Sequence, residues 1–154
     1  MSEFMDVYTR SSKSFRAATD TALRRHGLRL GQNLLLALLW ENDGQTPGTI
    51  ATQVNVMTPT IVKMANRMAA AGLLTRRRDT RDNRLVRLYL TDAGRDLREP
   101  VEKELHDLEV QLTAGLKPDE VATLVRLLHH VVDNALSLGG ESAMPEAVCD
   151  PPVD

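Results

Sequence analysis

Residues 76–87 read Arg76-Arg77-Arg78-Asp79-Thr80-Arg81-Asp82-Asn83-Arg84-Leu85-Val86-Arg87, six arginines against two aspartates. The whole 154-residue chain carries a formal net charge of -2, so positive charge is concentrated here and not spread for solubility. Such a local concentration is an electrostatic footprint for a polyanion.

The elements on either side give that run its setting. Downstream, Val86, Leu88 and Leu90 alternate with Arg87 and Tyr89, the period of a half-buried strand. Upstream, residues 74–78 supply its partner, which makes residues 79–84 the tip of a hairpin. Before the hairpin, Thr58 and Pro59 predict an N-cap followed by a proline in the first helical position. Ile61, Met64, Ala65, Met68 and Ala69 then form a buried face, and Thr60, Lys63 and Arg67 a polar row on another.

Further upstream, Thr46-Pro47 repeats the cap, Ile50, Ala51 and Val54 give a short apolar face, and Asn55 marks the break, asparagine tolerating positive φ. Two helices joined by a three- or four-residue turn form a helix-turn-helix whose second helix suits a DNA major groove. With the arginine-tipped hairpin behind it, the expected unit is a winged helix-turn-helix over about residues 46–91.

This order of parts, together with Asp79-Thr80-Arg81-Asp82-Asn83-Arg84, Leu88-Tyr89-Leu90-Thr91-Asp92-Ala93-Gly94 and Leu116-Lys117-Pro118-Asp119-Glu120, resembles the MarR family of bacterial transcriptional regulators. The resemblance covers roughly residues 3–138, and the D-x-R-x-x-R wing is its most specific piece. It implies a mainly α fold with a small β-hairpin wing, a helical dimerisation region, and a homodimeric regulator, most often a repressor.

Outside the winged unit, residues 4–26 predict a helix with Phe4, Val7, Tyr8, Phe15, Ala18 and Ala22 in one row, ended by Gly27. Residues 30–40 are apolar nearly all round and read as the most buried helix, with Asn33 as an amide to be paired with backbone or offered to an effector. Thr91 caps a helix to about residue 114 whose seam is Leu97, Val101, Leu105, Leu108 and Leu112, with Pro100 as a bend. A last helix starts at Lys117-Pro118 and carries Val121, Leu124, Val125, Leu127, Leu128, Val131, Val132, Leu136 and Leu138 over more than one face. That surplus of apolar surface assigns residues 3–26 and 92–138 to a dimer interface within a single domain, 1–138. Residues 139–154 hold four acids, three prolines and no Lys or Arg, which predicts a disordered acidic tail.

For duplex DNA, Lys63, Arg67, Arg76, Arg77 and Arg87 are the expected phosphate contacts, and Thr58, Thr60 and Lys63 can reach base edges. The resemblance adds that Arg81 reaches a minor groove, and that Asp79 and Arg84 brace the wing tip by a salt bridge. It also implies a small phenolic or aromatic-acid effector near the first, second and fifth helices. There the polar or aromatic candidates are Ser11, Ser14, Arg16, His26, Asn33 and Trp40. Arg16 suits a carboxylate bidentately, or equally a neighbouring surface acid. Ser11 and Ser14 fit a dimer seam as readily as a pocket.

Other chemistries find little support. The sequence has no nucleophile motif, phosphate-cradling glycine loop or usable metal-ligand spacing, so no enzyme and no cofactor are expected. One cysteine, Cys149, excludes an internal disulfide framework, and the adjacent His129 and His130 would point about 100° apart on a helix. Aromatics at 3% argue against a single-strand reader built on base stacking. No signal peptide or membrane-length run is present, so the expected location is cytoplasmic, with no membrane partner. The competing reading is a winged-helix protein-interaction module without specific DNA binding.

Overall fold

A computed structural model describes residues 1–139. The predicted acidic tail and Cys149 lie outside the described residues, apart from Gly139. In chain order the elements are α1 (Glu3–Arg24), α2 (Gln32–Glu41), α3 (Pro47–Val54), α4 (Thr58–Ala70), β1 (Leu74–Arg78), β2 (Val86–Leu90), α5 (Asp92–Asp96), α6 (Arg98–Leu112) and α7 (Pro118–Leu138). The architecture is mainly helical with one antiparallel hairpin, as the sequence predicts.

Several ends follow from single residues. Gly27 at φ 71 ends α1, with its own N–H on Arg24 O and the Leu28 N–H on Leu23 O, the paired bonds of a Schellman turn. Thr46 caps α3 by accepting from the Thr49 N–H, and Asn55 closes that helix at φ 55. The start of α4 departs from expectation: Met57 holds the N-cap position, so Thr58 is already helical and its hydroxyl is not the cap.

The long helix expected after Thr91 is two. Thr91 does cap its start, accepting from the Gly94 N–H, but α5 stops at Asp96 and α6 begins at Arg98. Pro100 has no N–H for the Asp96 carbonyl and its ring crowds that carbonyl, so the ladder fails at this point while Leu97 keeps helical angles. The bend expected of Pro100 is thus a break.

Leu23, Leu28, Leu35, Leu36, Leu39, Ile50, Ala51, Ile61, Ala65, Met68, Leu74, Leu88, Leu90 and Val101 form one core, drawn from α1 to α4, the turn after α1, both strands and α6. Within α2, Leu35, Leu36 and Leu39 are buried, but Leu34 is 47% exposed and Ala37 is exposed as well. By the share of its residues that are buried, α2 is the most buried helix, as its sequence predicts, and one of its apolar edges nevertheless faces outward. No residue of α7 is buried. No helix among the described residues is long and apolar enough to cross a membrane.

Candidate nucleic-acid interface

On α4, burial of Ile61, Ala65 and Met68 turns the opposite side outward. Pro59, Lys63, Asn66 and Ala70, at spacings of four, three and four, make an exposed edge flanked by exposed Thr58 and Arg67. Thr60 is half-buried, so it sits at the margin of that edge.

The hairpin pairs Leu74 with Leu90, Arg76 with Leu88 and Arg78 with Val86, which places these residues on one face by the alternation of a pleat. That face covers the core and looks toward α4. Arg76 accordingly reaches across and donates from Nη1 to Asn66 Oδ1 at 2.6 Å. Thr75, Arg77, Arg87 and Tyr89 share the other face, where the Arg77 guanidinium lies 5.3 Å from the centroid of the Tyr89 ring. Arg76 and Arg77 are neighbours in sequence that serve opposite sides of the wing.

At the tip, the salt bridges are not those the resemblance implies. Asp79 pairs with Arg87, Oδ2 to Nη2 at 3.0 Å, and Arg84 pairs with Asp82, Nε to Oδ1 at 3.1 Å. The expected Asp79–Arg84 brace is replaced by two separate pairs. The reason is the pleat: β2 carries Arg87 back beside Asp79, while the turn closed by Leu85 N–H to Asp82 O keeps Arg84 next to Asp82. Backbone N–H donation from Arg81, followed by the Arg87 bond, holds the Asp79 carboxyl below its usual range. Asp82 is held low by its side-chain and backbone bonds from Arg84.

Arg87 also donates from Nη1 to Gly44 O at 2.9 Å, so this guanidinium is committed on two sides before any phosphate arrives. Arg81 stays exposed at the extremity of the wing, its N–H on Asp79 Oδ1. Lys63, Arg76, Arg77 and Arg78 are exposed, as is Arg84.

The segment behind the wing went unnoticed in the sequence. Gln45, 7% exposed, donates from Nε2 to Leu38 O and Asn42 O, and its Oε1 accepts from Gln53 Nε2. Its backbone bridges Leu88 as a one-residue third strand. Asp43 Oδ1 accepts from the Gly44 and Leu90 N–H groups. Gly44 has φ 77, and a Cβ there would lie 2.7 Å from Tyr89 Cε1. Together these residues fasten α2, α3 and the hairpin to one another. Asn66 belongs to the α4 edge as well, and its position one turn beyond Lys63 is the sequence signal for it.

Three of the candidate effector residues are bonded within the fold. Asn33 Oδ1 accepts from the Gly31 N–H, the backbone alternative considered for it. Trp40 donates to Gly94 O at 2.9 Å, and His26 Nε2 lies 3.2 Å from Glu104 Oε2. Glu104 also accepts from Arg25, and the His26 bond leads in holding its carboxyl low. Ser11 and Arg16 are half-buried on α1, while Ser14 is exposed. A cavity of about 300 Å³ lies between α1 and α6, walled by Ala18, Thr21, Arg25, Glu104, Leu108 and Gln111, none of them among the six. Among the described residues no three His, Cys, Asp or Glu side chains gather as a metal site.

Comparison with known proteins agrees with this architecture. Residues 28–86 match the model of the MarR family. The HTH-type transcriptional regulator TtmR of Methylorubrum extorquens (strain PA1) is 29% identical over 137 residues, covering 89% of this chain and 69% of that protein. The uncharacterized HTH-type transcriptional regulator YwaE of Bacillus subtilis (strain 168) is 30% identical over 126 residues, covering 81% of this chain and 74% of that protein. Among solved structures, a MarR transcriptional regulator from Methanosarcina mazei Go1 superposes with a TM-score of 0.76 at 19% identity, over 90% of this chain and all of that one. MepR of S. aureus, crystallised with DNA, does so with a TM-score of 0.78 at 20% identity, over 87% of this chain and 99% of that one. A shared winged body, a matching family model and relatives spanning most of both chains place this chain in the MarR family.

Proposed function

We propose that the chain is a transcriptional regulator that binds duplex DNA sequence-specifically as a homodimer on a pseudo-palindromic operator, and that it acts as a ligand-responsive repressor. One observation carries the reading: the exposed edge of α4 and the arginine-rich wing stand side by side and are tied together by the Asn66–Arg76 bond. α4 enters a major groove with Thr58 and Lys63 foremost, and Arg81 at the wing tip follows the neighbouring minor groove. Arg76, Arg77, Lys63 and Arg67 supply salt-sensitive phosphate contacts. Arg87 and Arg84 shape the wing through Asp79 and Asp82 and add contacts only secondarily.

Dimerisation is supported by the helical end. Phe4, Val7, Tyr8 and Phe15 of α1 and Leu124, Leu128, Val132 and Leu136 of α7 are all exposed large apolar residues in the single chain. A second copy covers them and sets two α4 helices about 34 Å apart, one helical turn of DNA. A small aromatic acid bound near α1, α2 and α6 would shift the population of dimers away from that spacing, provided it prefers the non-fitting form.

Fluorescence anisotropy on duplex from upstream of the chain's own gene, against unrelated duplex over a salt series, tests the reading. Preference for the first duplex, weakening with salt, and a loss of about tenfold in Arg81→Ala are expected, a minor-groove arginine being worth on the order of 1–3 kcal/mol. No binding to any duplex at low salt would transfer the winged unit to protein recognition.

A further inference from the structure

We infer that Asn66 is a positioning residue for Arg76, aiming its guanidinium into the crook between α4 and the wing while leaving its charge uncancelled for a DNA phosphate. The inference rests on the duplex-binding reading above. Three of the arginines in the run are answered by an anion or a ring: Arg84 by Asp82, Arg87 by Asp79, and Arg77 by the face of Tyr89. Arg76 is answered by a neutral amide oxygen at 2.6 Å.

The difference is electrostatic. A carboxylate in place of that amide would form a two-centre ion pair, cancel the local charge and compete with phosphate for the same fork. An amide oxygen fixes direction with one hydrogen bond and cancels nothing, so a phosphate gains nearly the whole charge. The bond also crosses from helix to hairpin, between residues ten apart in sequence, so it sets the angle of the wing against the recognition helix. Arg76 lines the cleft between these elements with Thr58, Val62, Ala65 and Leu88. A phosphate passing between the α4 edge and the wing meets that guanidinium already oriented.

The test uses the full chain with Asn66→Asp, Asn66→Ala, Arg76→Ala and the double variant N66D/R76A, each measured by anisotropy over a salt series beside a thermal unfolding scan. Asn66→Asp keeps the brace, so its melting temperature stays at or above that of the unaltered chain. Its dependence of log K on log salt is expected to be shallower by about two for a dimer on two half-sites, with affinity at 0.15 M salt lower on the order of tenfold. Asn66→Ala keeps the slope and loses only a few-fold in affinity. The double variant matches Arg76→Ala, because the aspartate then has no guanidinium to neutralise.

Two results would overturn the inference. One is an Asn66→Asp chain with the unaltered salt slope. The other is an equal loss from Asn66→Asp whether or not Arg76 is present, which would mean direct repulsion of DNA. The unaltered chain and Arg81→Ala, run in the same series, separate this from the wider reading: binding damaged by Arg81→Ala but indifferent to Asn66→Asp sinks only the role of Asn66, whereas absence of binding by the unaltered chain sinks both.

Discussion

The winged body and the helical end use apolar residues in opposite ways. In the body, Leu36, Ile50, Ile61, Met68 and Leu88 are sealed from solvent, and the buried Gln45 among them is answered within the chain by Leu38, Asn42 and Gln53. At the other end, Leu128, Val132 and Leu136 recur every four residues along a helix with no buried residue, each about half exposed. A stripe of that kind gives a helix no stability until something packs on it. The body is therefore finished by its own sequence, and the helical end is finished by a partner, for which we propose a second copy.

The largest expected effect comes from attacking that unfinished end. Leu128→Glu with Leu136→Glu sets two charges where the partner would sit, and burial of two leucines is worth about 1.5–3 kcal/mol each. The dimer dissociation constant measured by analytical ultracentrifugation should rise at least about a hundredfold, at about 1.4 kcal/mol per tenfold. Operator affinity should fall with it. A dimer that survives both charges would show that these stripes are not its interface, and would erase the contrast between the two ends.

The body is sharpened by two substitutions that leave the helical end alone. A Cβ on Gly94 would lie 2.3 Å from the Leu73 carbonyl oxygen, and the Gly94 carbonyl is the acceptor for Trp40. Gly94→Ala forces backbone to move in a packed region and should cost about 3 kcal/mol. Gln45→Ala should cost about 2 kcal/mol, because it leaves the Leu38 and Asn42 carbonyls and the Gln53 amide short of a partner. Trp40 is the single tryptophan, so denaturant unfolding followed by its fluorescence reports on this region directly. If either variant unfolds at the unaltered midpoint, the winged body is not the rigid half of the comparison.

How far each half could be read in advance follows from the range of the interactions involved. Capping is local: Thr46, Asn55, Gly27 and Thr91 announce turns that their own side chains or φ values make, and the structure places them as expected. Period-two alternation fixed β2, and with it the hairpin. Pairings across the chain were not legible. Asp79 finds Arg87 and not Arg84 because of strand register, and Gln45 finds Leu88 because the hairpin folds back over α2, facts that no window of a few residues contains. The same holds for Asn66, whose partner lies on another element. The effector candidates combine a region implied by the resemblance with polar or aromatic side-chain type, and Asn33, Trp40 and His26 among them hold the fold. A side chain's type says what it can bind; only its neighbours say whether it is already occupied.

The smallest expected effect separates the wing tip from the rest of the body by pH. Asp79 and Asp82 are both held below the ordinary value of 3.8, through hydrogen bonds from Arg81 and Arg87 and from Arg84 respectively. A carboxyl depressed in the folded state contributes stability that is fully present above its unfolded pKa and lost as pH falls through the folded one. Between pH 8 and about pH 5 neither group changes charge, so the tip should keep its geometry across the working range. As pH falls below 3.8 and through their lowered folded values, the Asp79–Arg87 and Asp82–Arg84 pairs lose their charge attraction, and amide exchange or NMR shifts at residues 79–85 should report loosening there. The Asp82–Arg84 pair is exposed, where screening keeps it weak, whereas the Asp79 side chain is only 12% exposed; Trp40 is bonded elsewhere, to Gly94, so its signal should not move with the tip. Asp79→Asn tests the assignment at neutral pH: its one amide oxygen can keep the Arg81 N–H bond, but its Nδ2 is a donor and cannot replace the oxygen that accepts from Arg87, and the charge is gone, so the wing should loosen slightly without acid. If tip and core instead respond together at every pH, the wing belongs to the same cooperative unit as Gln45 and Leu88, and the division within the body moves to the boundary with α7.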